Sequence, residues 1–396
     1  MQHSFIQLDD LCDEILIHIF KKLYNVEVLY SLMDVNQLLN RIVHDTIFTR
    51  DLCFLECLPC NKISSPLSDL ILDRFCSEIL PEIGHRIKTL HLERTSMERI
   101  IHATNYPNLN SLSLCHIDSE VAMSLFDVVR RMLNLEELHL NIIVECNGRF
   151  IDGDTLMKDI IPYMPRLYKF TFNICSTIKH CDQTNFALNQ HIEKTFEYFH
   201  NSEIITCIDH FQENGYSQCH IYSYPYKWKV YNNITDNFRS GLFTSVTEVS
   251  LYDERPFEDE VFLRIAQSFP LMKELTIRNL KAQNNKQLAK SNNDNQMLSI
   301  IEYPNLTRLD LAYTHHDYVE LFLFDRKMAL PNHLHLRVDY QSLEKVTSNF
   351  TRYTRPNNCA KLAAIYFYPV DQIGEHIKKY FPHTCIRCSD DFVLRK

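Results

Sequence analysis

Glycine is scarce in this chain: there are six among 396 residues, at Gly84, Gly148, Gly153, Gly215, Gly241 and Gly374. No GxGxxG or P-loop pattern can be drawn through them. The phosphate-cradling loops of dinucleotide-binding and P-loop proteins need several glycines close together, so neither class is expected. HExxH, GxSxG and compact Cys/His/Asn signatures are also missing. Nineteen histidines without such a frame do not outline an active site. No catalytic residue and no cofactor are therefore expected. Every apolar run falls well short of the ~20 residues that a membrane-spanning helix needs. The opening residues carry no basic stretch before an apolar run, which argues against a secretory signal. The formal charge is −9, and no run of Lys or Arg exceeds two, so neither nucleic acid nor membrane is an expected partner. Together these absences suggest a cytoplasmic or nuclear protein. Its 14 cysteines would then be reduced thiols, many of them buried, and the sequons at Asn233, Asn305 and Asn349 chance matches.

What is present begins at "LDDLCDEILIHIFKKL", residues 8–23. Asp9 or Asp10 can cap a helix, and Asp13 and Glu14 suit the positive end of its dipole. Ile15, Leu16, Ile19, Phe20 and Leu23 form one broad apolar face at helical spacing, which Leu8 and Leu11 extend upstream. A second helix is expected over Val26–Leu32 and a third over Val35–Thr46. Three short helices make a very small core, and such a unit commonly needs a neighbour or partner to cover what is left.

The ordered residues Leu11, Glu14, Ile15, Leu16, Ile19, Phe20, Leu23, Leu29, Leu32, Val35, Asn36 and Leu39 resemble an F-box, over residues 1–52. Phe48 falls where that family often has Trp. Cys12 departs from the family's usual Pro, which removes a fixed φ near the helix start. The resemblance implies binding to a Skp-type adaptor and, through it, to a cullin–RING ubiquitin ligase. It assigns the adaptor contact to Leu8, Leu11, Cys12, Glu14, Ile15, Leu16, Ile19 and Phe20, by packing of an amphipathic helix against a partner's helices. An unrelated three-helix cap is the alternative, and each apolar residue could equally belong to the module's own core.

Residues 53–86 read as a helical linker, with apolar positions at Leu67, Leu70, Ile71, Phe75, Ile79 and Leu80. From residue 87 a unit recurs with apolar residues at its first, fourth and sixth places. Its copies begin at 87, 109, 135, 167, 246, 272, 306, 333 and 362, and the last two are the weakest. The pattern is strand alternation with one anchor in front, often introduced by a proline that stops the preceding helix. The start-to-start spacings of 22, 26 and 32, then 26, 34, 27 and 29, resemble degenerate leucine-rich repeats. That resemblance gives an α/β fold class: a small all-α N-terminal module, then a curved solenoid over 87–396 with a parallel inner sheet and outer helices. An ordinary α/β domain is the alternative. The stretch 173–245 breaks the pattern. A helix is expected over Asn185–His200, and a hairpin around Pro225. Residues 281–296 read as an exposed polar loop.

In such a unit the leucines enter the core and the intervening residues face the other side of the sheet. Those of the later units are rich in Arg and Tyr, common interface anchors. Tyr252, Arg278, Arg308, Asp310, Arg337 and Tyr366 are the candidate contacts for a protein substrate. The expected function is substrate recognition for a Skp–cullin–F-box ligase, with a non-degradative repeat scaffold as the alternative. Cys53/Cys57/Cys60 and His383/Cys385/Cys388 have zinc-like spacings, but neither supplies four ligands, so ordinary thiols are the better account. His315 and His316 are adjacent and are expected to diverge.

Overall fold

The computed structural model describes residues 11–54, 68–115, 135–146, 148–179, 189–197, 203–284, 300–351, 358–368 and 374–388. The chain is mixed α/β, with N-terminal helices and two seven-stranded sheets. Each sheet has edge strands, so neither closes into a barrel. The chain divides into two compact units: Met1–His210 with Gly215–Ser223, and Phe211–Asn214 with Tyr224–Lys396. The expected boundaries at 52 and 86 both fall inside the first. Among the described residues no helix is long and apolar enough to cross a membrane.

The first unit opens with helices α1 (Asp13–Phe20), α2 (Asn25–Leu32), α3 (Gln37–Val43) and α4 (Thr46–Thr49). Cys12 occupies the N-cap position of α1 without a side-chain cap bond, so the helix starts later than an Asp9 or Asp10 cap would require; those two residues lie outside the described ones. The other starts follow capping chemistry. Glu27 Oε2 accepts from the Tyr24 amide at 3.2 Å, Asn36 Oδ1 from the Leu39 amide at 2.8 Å, and Asp45 Oδ1 from the Ile47 amide at 2.8 Å. The Asn of the Val-Asn pair is thus the cap of α3. Leu16 and Phe20 reach the core, where Phe20 meets Phe48 edge-on at 6.5 Å. Asn25 Nδ2 donates to the carbonyls of Ile47 and Asp51, tying α2 to the start of the sheet.

After β1 (Asp51–Cys53), α5 (Asp69–Arg74) runs into a π turn over Phe75–Ile79 and then α6 (Leu80–Ile83). Arg74 donates to the carbonyls of Tyr30 and Met33, and Phe75 packs on Tyr30 and Phe54. This segment therefore seals α2 against the sheet. Its buried stripe runs through Leu72, Phe75, Ile79, Leu80 and Ile83, whereas Leu70, expected inside, is exposed. Leu67 lies outside the described residues.

The first sheet has the order β1-β2-β3-β4-β5-β7-β6. Strands β2 (Thr89–Glu93), β3 (Ser111–Cys115), β4 (Glu137–Cys146) and β5 (Lys169–Lys179) are parallel, and the repeated units lie in register: Leu90, Leu112, Leu138 and Phe170 are cross-strand partners. Helix α7 (Arg94–Ala103) follows β2. In the irregular stretch a helix is described over Asn189–Lys194, ending before the expected His200; residues 185–188 and 198–200 lie outside the described ones. The hairpin is also one strand earlier. β6 (Glu203–Phe211) and β7 (Tyr216–Tyr224) turn through residues 212–215, where Gly215 supplies a φ of +67°, and β7 pairs antiparallel with β5. A left-handed φ, rather than Pro225, marks this turn.

The second sheet has the order β16-β15-β14-β12-β10-β9-β8, and its strand pairings are all parallel. Its strands are β8 (Val230–Ile234), β9 (Glu248–Tyr252), β10 (Glu274–Asn279), β12 (Arg308–Thr314), β14 (Leu334–Asp339), β15 (Leu362–Tyr368) and β16 (Cys385–Cys388). The short pair β11 (Ile301–Glu302) and β13 (Met328–Ala329) stands apart from it. Parallel strands need crossovers; helices Asp259–Ser268, His316–Phe324, Tyr340–Val346 and Glu375–Tyr380 lie in the connections. Leu275, Ile277, Leu309, Leu311, Leu336, Val338, Ile365 and Phe367 are buried on the core side.

Candidate functional site

Helix α1 has two different faces. Leu16 and Phe20 are buried in the module, while Ile15, Ile19 and Leu23 remain 47%, 42% and 51% exposed. Those three recur every four residues, so they lie along one side of the helix and continue past its end. Asp13, at the other side, accepts with both carboxylate oxygens from Arg41 Nη2 of α3 at 2.7–2.8 Å. Both groups are well exposed, so this fixes orientation more than it adds stability. Of the residues assigned to an adaptor, Leu8 lies outside the described ones and Leu11 is half-buried against the core. Leu16 and Phe20 are buried within the module's own core, Phe20 against Phe48. Cys12 and Glu14 are exposed. A hydrogen bond from the Cys12 thiol, and then one from its own amide, hold the Glu14 carboxyl below its ordinary value. Cys12 has φ −71°, already in the range that proline would impose.

The polar face of the first sheet is largely satisfied by itself. Glu137 binds Lys169, Tyr168 and His139, and these contacts, Lys169 foremost, bring its pKa to about 2. Asn173 donates to Asn141 Oδ1 at 2.9 Å, and its own Oδ1 lies 2.6 Å from His220 Nε2. Burial pushes His220 down to about 4, so the neutral ring donates to Asn173. Burial likewise lowers His91.

The second sheet carries the candidate substrate residues on one face. Register places Ser250, Thr276, Asp310, Arg337 and Tyr366 in one cross-strand row, and Tyr252, Arg278 and Tyr313 in the next. Asn214 Nδ2 donates to Tyr252 Oη at 2.8 Å. Arg308 lies 3.9 Å from Glu274, and Arg337 Nη1 donates to Asp310 Oδ2 at 2.9 Å. Tyr366 is the exception: it is buried, with its hydroxyl 3.3 Å from His335 Nδ1, and so is withdrawn from the candidate surface.

Two aromatic residues take its place. The register of β12 shifts between its pairings with Thr276 and Arg278, a β-bulge that inverts the inward–outward alternation. Ala312 and Thr314 are consequently buried, and Tyr313 turns out to 40% exposure. Asp310 Oδ1 accepts from the Ala312 amide at 3.0 Å and so pins the bulge with the same carboxylate that holds Arg337. Tyr313 and Tyr368 lie 5.0 Å apart; Arg337 sits over both rings, at 5.7 and 5.0 Å, and Arg278 over Tyr313 at 5.8 Å. Strict alternation in "RLDLAYT" points Tyr313 into the core. A bulge leaves no reliable mark in such a short strand.

Among the described residues, one close group of metal-capable side chains occurs: His315, His316 and Asp317. The expected divergence of the histidines does not hold, because their rings lie 3.9 Å apart. His315 is the N-cap residue of the helix His316–Phe324, and its Nδ1 accepts from the Asp317 amide at 3.3 Å, which folds the ring back. Asp317 Oδ2 in turn accepts from the Gln283 amide at 3.0 Å. These polar atoms already serve the backbone, and a helix N-terminus disfavours a cation. The described cysteines are free thiols; Cys57 and Cys60 lie outside the described residues.

No protein-family model matches this chain, and no curated protein matches it.

Proposed function

We propose that this chain is the substrate-receptor subunit of a Skp–cullin–F-box ubiquitin ligase. The reading rests on the F-box-like run in residues 11–48, and the observation that carries it is the apolar stripe of Ile15, Ile19 and Leu23. A helix in so small a module leaves such a stripe bare at a cost, unless a partner covers it. In this reading the finer architecture is an F-box followed by a degenerate leucine-rich-repeat array, and the sheet faces present side chains to a target. The chain itself contributes no reacting group. It holds a target close to the ubiquitin-loaded enzyme, and that gain in effective concentration is its share of the catalysis.

Co-expression with a Skp-type adaptor tests the proposal. A stoichiometric complex that also recruits a cullin–RING pair is the expected result, and a chain that elutes alone contradicts it. A non-degradative scaffold would bind the same target without lowering its level. Target accumulation on cullin inhibition separates these two readings.

A further inference from the structure

We infer that the Arg278–Tyr313–Tyr368 shelf of the second sheet takes an acidic peptide segment in which a Glu or Asp side chain adjoins an aromatic residue. The inference rests on the receptor reading for the peptide's being part of a target. The shelf itself follows from the second unit alone.

Three observations converge on it. The first is the bulge. It takes Tyr313 out of the core, where alternation would bury it, and sets it beside Tyr368 with ring centroids 5.0 Å apart. Bulges recur where a strand must re-aim a side chain. Two neighbouring tyrosines offer a broad, rigid contact area at little conformational cost, and aromatic partners pack on such rings in offset or edge-on geometry.

The second is how the charges are distributed. Arg337 is engaged by Asp310 and sits over both rings, so it stiffens the shelf without adding net charge to it. Asp339 accepts from the Ser342 amide at 2.7 Å and caps the helix Tyr340–Val346. Arg278, by contrast, is exposed. It lies over the Tyr313 ring, and among the described residues it forms no ion pair with an acidic side chain. A guanidinium stacked on a ring keeps its in-plane N–H groups for a planar oxyanion, which is the geometry that a carboxylate matches bidentately.

The third observation decides between a carboxylate and a phosphoryl group. One guanidinium is available, since Arg337 is neutralised by Asp310, and the Asp339 carboxylate stands opposite Tyr368 in the strand register. A phosphoryl group near −2 would meet that repulsion with a single positive partner, whereas a carboxylate at −1 is balanced by Arg278.

The test uses the full-length chain and a fluorescein-labelled peptide of Gly-Glu-Phe-Glu repeats, read by anisotropy at physiological salt. Versions with Gln for Glu, Ala for Phe and phosphoserine for Glu are measured beside it. The Glu/Phe peptide is expected to bind at least tenfold more tightly than the Gln and Ala versions. Arg278→Glu and Tyr313→Leu should each lower its affinity at least tenfold. Equal binding of the Glu and Gln peptides, binding of the Glu peptide unchanged in Arg278→Glu, no binding of any peptide, or a preference for the phosphoserine version would each overturn the inference. Skp-type adaptor binding is measured on the same preparations. Arg278→Glu should leave it unchanged, so loss of the receptor reading and loss of the peptide site register separately.

Discussion

Replacing Asp310 by alanine should destabilise the second unit by about 3 kcal/mol, in two parts. The Asp310–Arg337 pair has side-chain exposures of 14% and 13%, so its groups are mostly but not fully out of water. Removing one partner of a fully buried pair costs roughly 3–5 kcal/mol, and the remaining solvent contact brings this nearer ~2. The buried Ala312 amide also loses its acceptor, which adds about 1 kcal/mol. Trp228 is the chain's single tryptophan and lies within the second unit, so its fluorescence reports unfolding there. With a urea m-value of about 2 kcal/mol per molar, the midpoint should fall by about 1.5 M. Asp310→Asn keeps an oxygen for the Ala312 amide and loses the charge, so it should cost less than alanine. Adding Arg337→Met to Asp310→Ala should recover much of the loss, since no enclosed charge is then left behind. A shift below about 0.5 kcal/mol for Asp310→Ala, the level of an ordinary surface change, would refute the reasoning. So would a double variant whose cost is the sum of its parts.

Further outcomes follow from the first unit. Leu16→Ala should cost about 2–5 kcal/mol of stability and Ile15→Ala no more than about 0.5 kcal/mol, and equal losses in urea denaturation would mean that α1 does not have two faces. Cys12→Pro should raise the melting temperature slightly, because a φ of −71° already suits proline and the unfolded chain loses freedom, a gain of about 0.5 kcal/mol; a lowered melting temperature would count against it. His220 titrates near 4 in the folded chain against the usual 6.5, so between those values the unfolded chain gains a proton that the folded chain refuses. Stability should therefore fall as pH drops from about 6.5 to about 4, with no further loss from this group below that, and His220→Gln should flatten the slope in far-ultraviolet circular dichroism; an unchanged slope would contradict it.

Much of the β framework is legible in the sequence. All nine repeated units form strands, the unit at His333 without an apolar first place, because burial of one strand face writes a period of two directly into the chain. The short edge strands β1 and β16 carry too few residues to show any period. The β6–β7 hairpin escapes because its turn is set by one backbone angle, at Gly215. The candidate substrate face is half legible. Register brings Tyr252, Arg278, Asp310 and Arg337 onto adjoining rows as alternation requires. Tyr366 follows the same parity, yet packing against His335 covers it. Tyr313 breaks the parity through a bulge held by a hydrogen bond from the Ala312 amide to Asp310, which no count of apolar residues can detect. On α1 the period identifies a broad apolar face, but three-dimensional packing is needed to divide it into Leu16 and Phe20 within, and Ile15, Ile19 and Leu23 without.

We propose that this outer stripe of α1 binds a Skp-type adaptor. Calorimetric titration of a purified Skp-type adaptor into the full-length chain, and into its Ile15→Glu/Ile19→Glu variant, tests it most directly. One-to-one binding to the unaltered chain is expected, with affinity at least a hundredfold weaker for the variant at unchanged melting temperature. Absence of binding to the unaltered chain, or equal binding to both, would contradict it.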